Sequence, residues 1–340
     1  MTRSIFLLLG LSTLFLSSGT AWSQDPPLIS MWNVKLVPED ESNDKFKIEG
    51  PWSIGDPVHE TLTLHALISG GILPNSTTSK SKAAAQFIRG VFWNDDPCAQ
   101  LLAENDFSPL KTSSGLAWYM DFGRGLHQAK AGAGTEGMNC PLLGRSHFGD
   151  LQFLHSMADR DGVKAATTVE KILAWASVAY RIAIGDIDSR NPLKTDSVAA
   201  ALLSEVAEKS AMELLRAKTE SETRARAFGT LLHMVQDSYA GGHVSRVSAS
   251  AGHPVGIIQF LSYVNQDPDK HAHDDSWKDG TSNLERTLNI PGAPEALAAS
   301  TELARRYKNR QPWSEVELYL KNGLFLMRSD ARDSGPGEYK

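Results

Sequence analysis

The stretch "HMVQDSYAGGH" places His233, Asp237 and His243 close together in an otherwise apolar segment. A four-residue spacing puts His233 and Asp237 on one face of a helix, one turn apart. Gly241-Gly242 then ends the helix and lets the chain turn back, so that His243 can reach the same point. Imidazole and carboxylate are the groups that bind zinc besides thiolate. A second pair with the same spacing, His271 and Asp275 in "HAHDDSW", suggests a site for more than one metal ion. For an isolated His/Asp pair the ordinary explanation is a surface hydrogen bond or a helix-terminal charge. Here Phe228, Leu231, Leu232 and Val235 imply burial around the pair. A buried aspartate needs a partner, and a cation is a good one.

Closely spaced cations need several carboxylates to offset their charge. Together they clamp the attacking and departing oxygens of a phosphodiester and lower the pKa of water, giving a nucleophile near neutral pH. Other nucleophilic or phosphate-binding devices are not evident: Ser238 has no Gly-x-Ser-x-Gly elbow, and neither a phosphate-cradling loop nor a dinucleotide fingerprint is present.

The run Gly229, His233, Asp237, His243 resembles the G-x-x-x-H-x-x-x-D-x-x-x-x-x-H pattern of the zinc-dependent phospholipase C and single-strand-specific nuclease superfamily, without a gap. "SHFGD" (146–150) is similar to the bacterial phospholipase form of a further ligand segment. "GVFWNDDP" (90–97) is similar to the segment supplying an early aspartate, aligned on Asp95 with Asp96 as the fallback. "GDPVHETLT" places His59 where a first-helix histidine belongs, and His271 with Asp275 matches an H-x-x-x-[DE] pair. Only the 229–243 motif is specific by itself; the matches run in the family's order from about residue 52 to 275.

The resemblance implies an all-α, single multi-helix domain and a zinc cluster of two or three ions. Asp95, His147 and His233 would hold one ion. Asp237 would bridge it to a second held by His59, and His243, His271 and Asp275 would hold the third. Asp95 could also orient the attacking water or act as base. The family's second ion is additionally bound by a tryptophan at the mature N-terminus. Here Trp52 stands at the corresponding place but is internal, so its backbone is a doubtful ligand and two ions remain credible without it.

The elements that must position these residues read as helices. Apolar residues recur at three- and four-residue spacing over 59–69, 81–103, 149–157, 165–184, 195–218, 220–238, 255–264, 294–307 and 313–327. Residues 112–146, rich in glycine, read as a long surface loop. Residues 24–51 read as an extended N-terminal arm or small hairpin. Residues 1–23 read as a signal peptide, leaving 52–340 as the helical zinc-hydrolase domain and a periplasmic or secreted chain. The apolar run of the signal is too short for a membrane span, and no later segment reaches the ~20 residues one requires.

The 34 Lys+Arg against 40 Asp+Glu, with no long basic run, disfavour a general electrostatic nucleic-acid binder while leaving a local basic groove open. The two cysteines, Cys98 and Cys140, can pair in an exported chain. Asn75-Ser76-Thr77 is a glycosylation sequon, relevant only in a eukaryotic host.

Of the other histidines, His65, His127, His155, His253 and His273 have weaker claims. His155 reads as a packed or hydrogen-bonded helix residue or an outer partner of a metal, and His273-Asp274 as a weak match to HD-type phosphohydrolases. Trp93 and Trp118 could line a cleft.

The leading expectation is an exported zinc-dependent phosphoesterase, phospholipase C-like, which hydrolyses a phosphodiester with metal-activated water. "SHFGD" leans towards a phospholipid substrate and possible peripheral membrane contact; Asp275 in place of glutamate leans towards a single-stranded nucleic acid and a nuclease. An alternative of another class is a non-catalytic, zinc-stabilised binding protein. A structural zinc site is closed by four protein ligands, whereas a catalytic one keeps a position open.

Overall fold

In the computed structural model the chain is mostly helical. The residues described are 35–38, 46–49, 58–78, 81–101, 112–247, 256–267, 270–271 and 284–340. Trp52, His253, His273, Asp275 and the signal segment 1–23 lie outside them. Two short antiparallel strands come first, β1 (Lys35–Pro38) and β2 (Phe46–Glu49), with Lys35 opposite Glu49. Then follow α1 (Val58–Ser69), α2 (Lys82–Trp93), α3 (Thr112–Lys130), α4 (Pro141–Phe148), α5 (Ala165–Ile184), α6 (Ser197–Leu202), α7 (Ala211–Leu214) and α8 (Glu220–Asp237). A second antiparallel pair, β3 (Val244–Val247) and β4 (Gly256–Phe260), precedes α9 (Leu284–Thr287), α10 (Ala293–Lys308) and α11 (Trp313–Tyr319).

Helix α8 is the hub. It packs against α1, α2, α5 and α10, and from Ala225 to Asp237 every side chain is buried. Its start is set locally. The Thr219 hydroxyl accepts the Glu222 N–H at 3.2 Å, and Glu220 and Glu222 place negative charge at the positive end of the helix. Its approach to α2 is set by two glycines. A Cβ on Gly229 would lie 2.2 Å from the Phe87 carbonyl oxygen, and one on Gly90 would lie 2.0 Å from that of Arg226. Only glycine permits this contact, which brings the end of α2, and with it Asp95, over the middle of α8.

The apolar spacing expected for 165–184, 220–238 and 294–307 corresponds to α5, α8 and α10 within a residue or two. Five expectations are corrected. The helix expected over 81–103 ends at Trp93, and turns follow to Leu101. The supposed long loop contains α3 and α4. Its glycines serve packing: a Cβ on Gly125 would lie 2.9 Å from the Phe148 ring and 3.2 Å from the Gly144 Cα, so Gly125 marks a close helix contact. Within 255–264, Gly256–Phe260 form a strand, because Ile257 and its neighbours find pairing partners in β3, with Ile257 opposite Arg246, and an apolar run this short does not distinguish strand from helix by periodicity. The C-terminal chain extends this pair through parallel bridges from Ile257 to Met327 and from Leu261 to Gly335. Residues 195–218 break into α6, α7 and an intervening 3-10 turn. Residues 149–157 form only the 3-10 turn Gln152–His155. Cys98 and Cys140 form a disulfide with 6.0 Å between their Cα atoms, joining the turn after α2 to the start of α4.

Candidate metal centre

The cluster is built from the C-terminal half of α8 outward. His233 and Asp237 lie one turn apart, and His233 Nε2 is 3.0 Å from Asp237 Oδ2. His59, in the first turn of α1, reaches the other carboxylate oxygen, with Nε2 at 3.1 Å from Asp237 Oδ1. Its ring stacks on that of His233 with centroids 4.2 Å apart.

His155 arrives from the 3-10 turn. That turn ends at Ser156 in the left-handed region (φ 53°), and the Ser156 hydroxyl donates to the Met234 carbonyl at 2.6 Å, tying the turn to α8. His155 Nδ1 then lies 2.9 Å from Asp237 Oδ2 and 3.1 Å from His233 Nε2. Asp95, in the turn after α2, closes the open side, its Oδ1 3.9 Å from His233 Nε2 and 4.0 Å from His155 Nδ1. Trp118 of α3 holds the backbone there by donating Nε1–H to the Asp95 carbonyl at 3.2 Å.

Two overlapping sets therefore have all their ligand atoms within 4.8 Å of one another: His59, His233 and Asp237; and Asp95, His155 and His233. The second set brings His155 beside Asp95 and His233, where the sequence expected His147. His147 stands next to it, ring centroids 4.7 Å apart, with Nε2 3.9 Å from Asp95 Oδ1. Asp96, the fallback for Asp95, points elsewhere. It accepts the Gln100 and Leu101 N–H groups, both at 2.9 Å, and burial pushes its carboxyl up to about 6. His243 follows the Gly-Gly turn, with its Nδ1 3.7 Å from Asp237 Oδ2. His271 lies beside His243, centroids 4.9 Å apart.

The hydrogen bonds outside the cluster assign the tautomers. His155 donates Nε2–H to the Asn94 carbonyl (3.2 Å), His147 donates Nδ1–H to that of Leu143 (3.0 Å), and His243 donates Nδ1–H to that of His155 (2.7 Å). His59 donates Nδ1–H to Gln236 Oε1 (3.0 Å), and His271 does the same to Gln266 Oε1 (2.7 Å). Each of these five imidazoles thus commits one nitrogen to a carbonyl oxygen, which fixes its lone pair on the other. That is how metal-binding histidines are oriented.

For His59 and His155 the lone pair faces an oxygen of Asp237, so acceptor meets acceptor at 3.1 and 2.9 Å. Such contacts need a proton or a cation between them. Asp237 is 1% exposed, and all its ionic partners among the described residues are imidazoles. His233 Nδ1 is buried with no hydrogen-bond partner, so what Nε2 meets fixes this ring. The donor set, imidazoles around carboxylates, fits zinc.

Without a metal, burial alone would push the Asp237 carboxyl up, but the surrounding imidazoles reverse this and hold it well below its ordinary value. Burial would lower His59, yet the Asp237 carboxylate raises it to about 10. Burial together with His155 lowers His147 to about 3, and burial also lowers His233. The cluster thus keeps a proton on His59 and holds His147 and His233 neutral.

An aromatic wall borders the cluster. Phe122 meets His147 edge-on at 5.2 Å, Phe148 meets Phe122 at 4.8 Å and Tyr263 at 5.3 Å, and Tyr263 meets His271 at 4.6 Å. It spans from the His147 side to the His271 side.

His155 belongs to the cluster, although the sequence reads it only as packed, hydrogen-bonded or an outer partner of a metal. Its signal was a histidine flanked by Phe153, Leu154 and Met157, all now buried; an imidazole in such surroundings requires polar partners. No family model, curated protein or solved structure matches this chain.

Proposed function

We propose that the chain is an exported zinc-dependent phosphoesterase, phospholipase C-like, belonging to the superfamily its motifs resemble and acting in the periplasm or outside the cell. The observation that carries this reading is the division of the Asp237 carboxylate: Oδ1 faces His59, while Oδ2 faces His155 and His233. A carboxylate shared in this way is what a bridged pair of metal ions requires.

Zinc would be held by Asp95, His155 and His233 on one side of Asp237 and by His59 on the other, with His147 adjacent. His243, His271 and Asp275 would hold a third ion. When bound, the ions supply Lewis acidity to the phosphoryl oxygens and lower the pKa of water. The chain's own residues do the rest. Asp237, buried and ionised, offsets metal charge and fixes the spacing of the two histidine sets. The Asp95 side chain, 41% exposed, is the one carboxylate of the cluster open to solvent among the described residues. It is placed to orient an attacking water through Oδ1 and to accept its proton. This openness favours catalysis over a purely structural site.

The aromatic wall favours a second reading within the same chemistry, a single-strand-specific nuclease, because part-exposed aromatic rings beside the cluster, Phe122 and Tyr263, are the residue type on which unpaired bases stack. Hydrolysis of bis(p-nitrophenyl) phosphate by the purified protein tests the shared chemistry. Activity should disappear on chelation, return with zinc and be absent in Asp237→Asn. Activity indifferent to chelation and to that substitution contradicts the proposal. Parallel assays on phosphatidylcholine vesicles and single-stranded DNA separate the two substrates.

A further inference from the structure

Gln266 is buried, 4% exposed, and its two amide atoms reach two different ligand-bearing segments. Nε2 donates to the Gly242 carbonyl at 2.8 Å and more loosely to that of Pro336 at 3.4 Å. Both are oxygens that only accept, so the amide has one orientation and Oε1 faces His271. Oε1 lies 2.7 Å from His271 Nδ1, which must carry the proton; the ring's lone pair is then on Nε2.

Gly242 directly precedes His243 and is pressed against the same ring: a Cβ there would lie 2.7 Å from His271 Nδ1. His243 has its own Nδ1–H committed to the His155 carbonyl, so its ligand atom is also Nε2. The two rings stand 4.9 Å apart at 34°. One amide therefore fixes the tautomer of His271 and the backbone that carries His243. Gln236 performs only half of this at the other end of the cluster, orienting His59 from within α8 while its Nε2 is anchored on Thr63 and Ser300.

We propose that Gln266 is a positioning residue that couples His243 to His271 and sets the affinity of the outermost zinc ion. This rests on the metal reading above. Without the amide, His271 loses the acceptor that fixes its tautomer, and the Gly242–His243 turn loses one of its anchors; the buried ions depend on neither.

The test is zinc binding by the full mature protein, measured as ions per chain in chelator-buffered zinc, with far-UV circular dichroism as the check on folding. Gln266→Met, similar in length but without hydrogen-bonding atoms, should weaken the most weakly held zinc about 10–100-fold and leave the tighter ions and the helicity unchanged. Gln266→Glu keeps an acceptor for His271 but loses the donor to Gly242, and should fall between wild type and Gln266→Met. Should Gln266→Met not fold, the Glu variant decides: weaker binding of one ion supports the coupling, and wild-type binding overturns it. Equal weakening of every ion would mark general destabilisation and also overturn it. A wild-type protein that binds no zinc would sink the metal reading itself, whereas a zinc-binding wild type with unaffected variants would sink only the role of Gln266.

Discussion

His155 Nδ1 lies 2.9 Å from Asp237 Oδ2, although 82 residues separate them in the chain. The contact joins a 3-10 turn to the middle of the molecule and makes His155 part of the same cluster as His233. His155→Ala should therefore lose zinc as His233→Ala does, with phosphodiester hydrolysis down at least about 100-fold, at or beyond the upper end of what outer partners of a metal site usually cost. His147→Ala, at the rim, should do less. Zinc content and hydrolysis rates of the three variants check the order.

Zinc binding should release a proton at neutral pH. Asp237 raises the metal-free His59 to about 10, so this ring is protonated at pH 7, and a cation must take the lone pair that the proton occupies. Calorimetric titration in buffers of different ionisation enthalpy should show about one proton released on binding at the His59–Asp237 set, beyond any contributed by water. The His59→Gln variant should lose that proton.

Two glycines give opposite expectations. Gly229→Ala drives a Cβ to 2.2 Å from the Phe87 carbonyl oxygen and must push α2 away from α8, costing about 1–3 kcal/mol or more and displacing Asp95. Gly123→Ala in α3 meets nothing within 4 Å and should stabilise by about 0.5–1 kcal/mol through helix propensity. Urea unfolding measures both.

Arg145 is almost fully buried, forks onto Asp150 at 2.8 and 2.7 Å, and reaches Glu205 at 2.7 Å. Burial tends to raise the Asp150 carboxyl, but the guanidinium more than reverses this and holds it below its ordinary value. A depressed carboxyl pKa adds stability that is fully present above the unfolded value of about 4 and is lost as pH falls through the folded one. Asp150→Asn should therefore lower the melting temperature at pH 7, and the difference should shrink as pH falls below about 4. Melts of both proteins from neutral to acid pH check the sign.

How much was legible in the sequence follows from which signals are local. Helices α5, α8 and α10 show their apolar spacing directly, and His233 and Asp237 lie on one of them, so their pairing could be read. His155 could not be placed that way. Its turn has no repeat, and its orientation comes from the left-handed Ser156 and a bond to Met234, both tertiary facts. The glycines of α3 read as loop because glycine is a poor helix former, yet Gly125 is required by the close approach of α4. Strand β4 read as helix because so short an apolar run has the same look in either element, and one of its two partners, the C-terminal chain at Met327 and Gly335, lies far along the sequence.

The central claim is that Asp237 sits between two zinc ions. The most direct measurement is anomalous diffraction from crystals of the zinc-loaded protein on both sides of the zinc absorption edge. Zinc peaks are expected on either side of the Asp237 carboxylate, one bounded by Asp95, His155 and His233 and one by His59. Density showing no zinc at Asp237, or zinc bound only elsewhere on the chain, would contradict it.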